Sequence, residues 1–332
     1  MAASQAVLLT CAGQRVDIVC AFREAGAFVV AVDLNPLAPA LYHADRRANP
    51  PRVDDPDYVR FLAELVRVYS VSLVVPLTDL DQRLLAERRA ELDALVLLPA
   101  PEVVELTNDK YRAHEFFERT GIESPPTWLP DDLPDDLRFP VLVKPRRGFG
   151  SRNIFRAADR RELDFLLGYT PVDSMVQAVC DGEEFSIDVF CDVEGRCLAA
   201  IPRTMIESKG GESIKGMSIR DPDLIEVGCR VAETLGIVGP ANVQCFRTEG
   251  GRHEITDVNV RFGGGFPVPH ASGGGYPELS LALARGERPE PRLGDFREGV
   301  VMTRYFWQVC LQADEAGSLE PLAVELPVPS PE

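Results

Sequence analysis

The sequence predicts two architectures in one chain: an N-terminal α/β domain built on a parallel sheet, then an α+β region of antiparallel strands. Three observations carry this. Short apolar runs alternate with helical segments through the first hundred residues, the pattern of parallel strands joined by right-handed crossovers. After Thr107, strands succeed one another through Gly-rich or acidic turns, the pattern of hairpins. The chain also has 332 residues, a length that suits two or three domains.

The N-terminal strands are AVLLT (6–10), FVVAVD (28–33), SLVVPLTD (72–79) and LVLLP (95–99). Helical spacing fills 16–26, 56–70 and 80–94 between them. Ligands on such sheets bind beyond the carboxyl ends of the strands. Thr10, Gly13, Asp33, Thr78 and Asp79 therefore share one rim. The first turn, CAGQR, lacks the G-x-G-x-x-G that admits a pyrophosphate. Asp33 is placed for a ribose, but without that turn a dinucleotide site is not expected.

From Thr107 the reading continues with a helix, NDKYRAHEFFERTGI, capped by Asn108 and stopped at Gly121. FPVLVKPRRGFGSRNIF reads as strand, turn, strand, and 159–168 as a helix. SMVQAVCDGEEFSIDVF makes two strands around the acidic turn Asp181–Glu184, and RCLAAIPRTMI a further strand. IESKGGESIKGMSIRD lacks periodicity and reads as a mobile loop. DLIEVGCRVAETLGI is a helix, and ANVQCFRTEGGRHEITDVNVRF a hairpin turning at Glu249–Gly251. A helix, PELSLALARGE, a late strand, VVMTRYFWQVCL, and a loose Pro-rich tail complete the chain.

Composition narrows the function. Lys plus Arg number 35 and Asp plus Glu 52, a net charge of −17. Such a surface repels nucleic-acid phosphate and anionic lipid, so neither is an expected partner. No run reaches the roughly 18 apolar residues of a membrane span. MAASQAVLLTCAGQR has no cationic start and makes a poor signal peptide. Eight cysteines form no C-x-x-C pair, and four histidines make no zinc-type cluster. Buried reduced thiols and a cytoplasmic location are the expectation.

Two segments carry chemistry. Lys144 ends the strand VLVK, opposite in face to Val141 and Val143. The following turn holds Arg146, Arg147, Gly148, Gly150, Ser151 and Arg152. Cations and backbone N–H groups in a flexible turn can fold over a polyphosphate. In ITDVNVRF, alternation puts Asp257, Asn259 and Arg261 on one face with Ile255, within about 7 Å of each neighbour, and Val258, Val260 and Phe262 on the other. Asn242 and Gln244 alternate with Val243 and Cys245 on the paired strand. An all-oxygen donor set of this kind suits Mg²⁺ completed by phosphates and water.

These segments resemble the ATP-grasp superfamily, most closely the ATP-binding halves of the carbamoyl-phosphate synthase large subunit and single-unit carboxylate–amine ligases. The strongest stretch is GPANVQCF followed by ITDVNVRFGGG, where the family has Gln or Glu, then Glu-x-Asn-x-Arg. The resemblance implies a pre-ATP-grasp α/β domain at 1–106 and a two-lobed ATP-grasp fold: a small lobe at 107–180 and a large lobe at 181–320, with 321–332 a loose tail. It implies ATP and Mg²⁺ as cofactors, one or two ions, with Mn²⁺ a substitute. Gln244, Asp257 and Asn259 would be metal ligands and Arg261 a phosphate contact. Asp257 departs from the usual Glu. Lys110 and Lys144 would bind phosphates, with Arg147, Gly148, Gly150 and Ser151 in the covering loop. Gln177, where the family has Glu, and Val179 would meet adenine, and Glu184 the ribose. Four cations, Arg203, Lys209, Lys215 and Arg220, lie in a stretch resembling the loop that closes over the γ-phosphate; Lys215 is the expected contact. Thr10, Gly13, Asp33 and Asp79 on the rim, with Gly264, Gly265 and His270 in the run RFGGGFPVPHASGGG, would take the substrates.

The implied reaction activates a carboxylate on ATP as an acylphosphate, and an amine or thiol then displaces phosphate, releasing ADP. Small-molecule acid and amine are the implied partners, and a homodimer is a family-level expectation. Two alternatives stand beside it. One is phosphorylation of bicarbonate or carbamate as in carbamoyl-phosphate synthase. The other is an ATP-binding module without catalysis, given the neutral Gln177 and Gln244.

Overall fold

Strands buried on both faces must be covered on both faces, and the first domain follows that rule. The computed structural model describes residues 5–148, 153–209, 212–314 and 318–322. β1 (Ala6–Thr10), buried at all five positions, is followed by α1 (Val16–Glu24), β2 (Phe28–Val32), β3 (Arg46–Ala48), α2 (Tyr58–Tyr69), β4 (Val71–Pro76), α3 (Gln82–Glu87) and β5 (Leu95–Val96). The sheet is parallel in the order β3-β2-β1-β4-β5. The expected strand 72–79 stops at Pro76, and the expected helix 80–94 shortens to α3 plus a tight turn over Arg89–Glu91. Arg89 explains the break: its guanidinium turns inward onto the carbonyls of Ala86, Leu98 and Pro99.

The next unit begins with two helices, where one was expected. α4 (Pro101–Asn108) carries proline in its first turn, and α5 (Lys110–Thr120) follows at once. The cap of α5 is Asp109 rather than Asn108: its carboxylate accepts the N–H groups of Tyr111 and Arg112 at 3.2 and 3.3 Å. β6 (Thr127–Trp128), β7 (Val141–Pro145), β8 (Phe155–Ala157), α6 (Arg160–Tyr169) and β9 (Ser174–Ala178) complete it. Its antiparallel sheet runs β6-β9-β7-β8.

The remaining chain gives β10 (Glu183–Cys191), β11 (Cys197–Lys209), β12 (Glu212–Ser218), α7 (Pro222–Leu235), β13 (Gly239–Arg247), β14 (His253–Asn259), α8 (Pro267–Ala271), α9 (Tyr276–Ala284), β15 (Val301–Thr303), β16 (Leu311–Ala313) and β17 (Leu319–Pro321). Six of these strands form an antiparallel sheet in the order β14-β13-β10-β11-β12-β15, and β16 pairs with β17 as a separate ribbon. α7 lies against β10 closely enough that a Cβ on Gly228 would come 2.6 Å from Ile187 Cγ2.

Two expectations fail here. The stretch taken for a mobile loop is largely the hairpin β11–β12. The register shifts between Met205 and Glu207 and again between Glu207 and Ser208, so simple alternation is lost and the strand signal with it. The late strand is only β15; residues 304–310 leave the sheet before β16.

Packing divides the chain differently from strand order. The parallel sheet and the six-stranded sheet share one continuous apolar core, from Val7 and Leu73 through Ile187, Val243 and Phe262. The four-stranded sheet has its own small core of Val141, Val143, Ala157, Leu163 and Val176. Of the eight cysteines, all free, Cys191, Cys197, Cys229 and Cys245 are buried and Cys310 is exposed. Among the described residues no helix is long and apolar enough to cross a membrane.

Candidate functional site

The register of the six-stranded sheet builds the polar face. Gln244 lies opposite Asp257 and Asn242 opposite Asn259 across β13–β14. On the other side of β13, Ser186 faces Gln244 and Asp188 faces Asn242. Directly opposite residues have Cβ atoms about 5 Å apart on one face, so Asp257 and Gln244 are near enough to share a cation. A bulge beside Gln244 pairs Ile255 with Cys245. Both are buried, so Ile255, expected on the polar face, joins the apolar one instead.

The face continues into a buried network. Arg203, opposite Ser186 on β11, is 2% exposed. It donates from Nε to Asp188 Oδ2 at 2.9 Å and from Nη2 to Ser186 Oγ at 2.9 Å. Asn242 Nδ2 donates to Asp188 Oδ1 at 2.9 Å. A buried guanidinium and carboxylate need such complete pairing. Two glycines of the run after β14 close over this network: a Cβ on Gly263 would overlap Asp188, and one on Gly265 would overlap the Arg203 guanidinium. The sequence puts Arg203 near the end of the strand RCLAAIPRTMI and at the start of the stretch resembling the γ-phosphate loop, and it does not single out Asp188, although Ser186 and Asp188 alternate within the apolar run FSIDVFC.

Cations approach from the other lobe. Lys110 Nζ stands 3.4 Å from Asp257 Oδ1 and donates to the Gly148 carbonyl at 3.1 Å. Lys144, on β7, is 7% exposed. Burial lowers its ammonium to about 8; the Asp257 charge opposes that shift and Lys110 adds to it. The structure thus brings Lys110, Lys144 and Asp257 together. Arg147 pairs with Glu105 at 2.7 Å and reaches Asp109 at 3.5 Å. Arg146 grips Asp109 at 2.7 Å. Burial pushes the Asp109 carboxyl up, but hydrogen bonds from Arg146 and the Arg112 N–H outweigh it and hold the group below its usual range. Gly150 and Ser151 lie outside the described residues.

At the junction of the lobes, Gln177 is buried on β9 and donates its amide to Thr127 Oγ1 at 2.8 Å. Val179 is exposed. Glu184 is the second residue of β10, its carboxyl raised by burial and lowered in part by Arg203. Lys215 is not brought to this group. On β12 it alternates with Gly216, which faces Arg203, and it pairs with Glu207 at 2.6 Å on the other side. Three strands separate β12 from β14.

The rim of the parallel sheet meets the end of β14. Arg261 Nε bonds Asp79 Oδ1 at 3.1 Å, with further bonds to Asn259 Oδ1 and the Phe262 carbonyl. Arg15 donates to the carbonyls of Phe262 and Gly263, each at 3.1 Å, and Gln82 to that of Val260 at 2.9 Å. Arg304 donates to the Gly264 carbonyl at 2.6 Å. None of these three was singled out from sequence, because each acts on a carbonyl more than 39 residues away. Asp33 is spent on local structure, accepting the N–H groups of Gly13 and Asn35 at 2.8 Å each. Thr10 is fully buried at the end of β1. His270 bonds Glu24 at 3.1 Å on the outer side of α8.

Among the described residues no cluster of three His, Cys, Asp or Glu side chains could hold a metal alone. The set on β13–β14 is one carboxylate and two amides, which fits Mg²⁺ delivered with phosphate oxygens. A single Asp beside a lysine gives little affinity for a bare ion.

Comparison with known proteins bears on the domains and the fold. Residues 7–97 match the family model for a PylC-like N-terminal domain, and 170–305 match that for an ATP-grasp in the biosynthetic pathway with Ter operon. The carbamoyl phosphate synthase large chain of Pseudothermotoga lettingae is 24% identical over 74% of this chain. The match covers 24% of that protein, so the chain spans about a quarter of the curated relative's length. The fold is that of biotin carboxylase from Campylobacter jejuni, solved as a β-γ-ATP complex, with TM-score 0.72 and 15% identity over 90% of this chain and 74% of that one. L-amino acid ligase from Bacillus licheniformis gives TM-score 0.66 and 19% identity over 89% and 78%.

Proposed function

We propose, for a chain that joins a PylC-like N-terminal domain to an ATP-grasp domain and is homologous to the carbamoyl phosphate synthase large chain, that it is an ATP-dependent ligase. It activates a carboxylate as an acylphosphate and condenses it with an amine, releasing ADP and phosphate. The observation that carries the reading is the convergence of Lys110 and Lys144 on Asp257, which stands opposite Gln244 and beside Asn259.

Phosphoryl transfer needs positioning and charge neutralisation more than covalent help. Lys144 supplies a buried cation for the inner phosphates, and Lys110 a second one tied to the Gly148 loop. Mg²⁺, held by Asp257, Asn259 and Gln244, would neutralise the phosphate tail. Arg261 commits three N–H groups to Asp79, Asn259 and Phe262. Two of its five donors remain for the transferred phosphate. Arg203, rather than Lys215, is the cation on this face of the sheet, where it positions Asp188, Ser186 and Gly265. The substrates would enter between the parallel-sheet rim and the Gly263–Gly265 run, where lobe closure excludes water from the acylphosphate. The working boundaries are 1–106, 107–180 and 181–320, and the working location is the cytoplasm.

The test is ADP release against a panel of small acids and amines, with mass detection of the condensed product. Asp257→Ala removes the only carboxylate of the metal set and should abolish release, while circular dichroism stays native. Undiminished release in that variant refutes the metal assignment. A second reading, phosphorylation of bicarbonate or carbamate, is favoured by the chemistry named for the relatives. Bicarbonate-dependent release without an amine would select it.

A further inference from the structure

Three adjacent aromatic residues follow β15 out of the six-stranded sheet. Tyr305 is 70% exposed, Phe306 93% and Trp307 41%. Water-facing rings in such density need a reason. Their backbone is anchored at both ends. On one side Arg304 N bonds the Ile214 carbonyl at 2.9 Å and its guanidinium bonds the Gly264 carbonyl at 2.6 Å. On the other, the β16–β17 ribbon is bound to the parallel-sheet rim: Arg47 on β3 bonds the Leu319 carbonyl at 2.7 Å and Glu320 at 2.8 Å. β3 ends beside Asp33, whose carbonyl accepts from Asn49 at 2.7 Å. Residues 304–310 therefore run from the glycine run to the rim, across the place where the substrates would enter. Tyr305 and Trp307 already form an edge-to-face corner, centroids 6.0 Å apart at 77°. Leu34 and Leu37, one and four residues after Asp33, are 54% and 62% exposed.

We propose that Tyr305, Phe306 and Trp307 form a specificity wall for an apolar, preferentially aromatic, side chain on the acid or the amine. This rests on the ligase reading of the same site and deepens it. The reactive end of that substrate would lie at the Gly263–Gly265 run and its side chain against the rings. A second copy of the chain is the competing occupant, but the segment's anchors are to the glycine run and the rim. A substrate as small as bicarbonate has no use for such a wall.

The experiment uses the full chain with magnesium and a non-hydrolysable ATP analogue. Trp307 emission is followed during titration with L-phenylalanine and 3-phenylpropionate, then glycine, acetate and bicarbonate. Trp128 is the only other tryptophan, so Trp307→Phe identifies the reporter. The expected result is a saturable change with an aromatic compound, at least tenfold tighter than with glycine or acetate. It should be lost in Trp307→Phe and weakened at least tenfold in Phe306→Ser, with analogue affinity unchanged. No saturable response to either aromatic compound overturns the proposal, as does an equal response to glycine. Light scattering that finds a wild-type dimer and a monomeric Phe306→Ser also overturns it. Failure of the analogue itself to bind would sink the ligase reading along with the wall, and separates the two failures.

Discussion

Lys144 gives the sharpest test of the nucleotide site. Its ammonium sits at about 8 rather than 10.5, lowered by burial and by Lys110 and restrained by Asp257, with Cys180 a smaller opposing influence. Between pH 8 and 10.5 the unfolded chain holds this proton and the unliganded fold does not, so the unliganded fold gains stability as pH rises through that window. A triphosphate reverses the preference, because its negative oxygens favour the charged lysine. Nucleotide binding should therefore take up about 0.1 proton at pH 7, about 0.5 at pH 8 and about 0.9 at pH 9. Affinity should fall by up to about tenfold per pH unit above 8. Calorimetry in two buffers of different ionisation enthalpy reads the uptake directly. Lys144→Gln should bind nucleotide weakly and show a flat uptake across the range. A flat profile in the wild type, or the same rise in Lys144→Gln, would refute the reasoning.

Two more expectations concern the network under the sheet. Arg203→Ala leaves Asp188 buried without its main partner and should cost about 3–5 kcal/mol, read as a fall in denaturant midpoint with unchanged slope. Gly265→Ala places a methyl group against the Arg203 guanidinium. It should lower thermal stability and slow ADP release together, and a fully active, equally stable variant would show that the glycine run is free to move.

Legibility from sequence followed the simplicity of the strand pattern. Asp257, Asn259, Gln244 and Asn242 were readable because β13 and β14 keep one polar and one apolar face, and a single bulge misplaced only Ile255. The first part of β11 was readable as the strand RCLAAIPRTMI, but its end and β12 were not, because bulges, glycines and charges there erase the period of two. Lys215 lies in the same stretch, and the register pairs it with Glu207, since one residue of register decides which side of the sheet a lysine meets. The break between α4 and α5 was hidden because Asp109 both caps a helix and receives two arginines brought in by a different strand. Arg15, Gln82 and Arg304 act at a distance that no local spacing encodes.

The shared core and the Arg15, Gln82 and Arg261 bonds weld the first domain to the six-stranded sheet. The four-stranded unit packs on a separate core of its own. Two of its links to the sheet are the Ile255 N–H, which donates to the Glu123 carbonyl at 2.8 Å, and the Lys110–Asp257 ion pair, whose side chains are 16% and 19% exposed. A triphosphate entering there with its cation would compete for both members of that pair, the phosphates for the lysine and the metal for the carboxylate, so the cargo would loosen one of the fastenings between the two sheets as it binds.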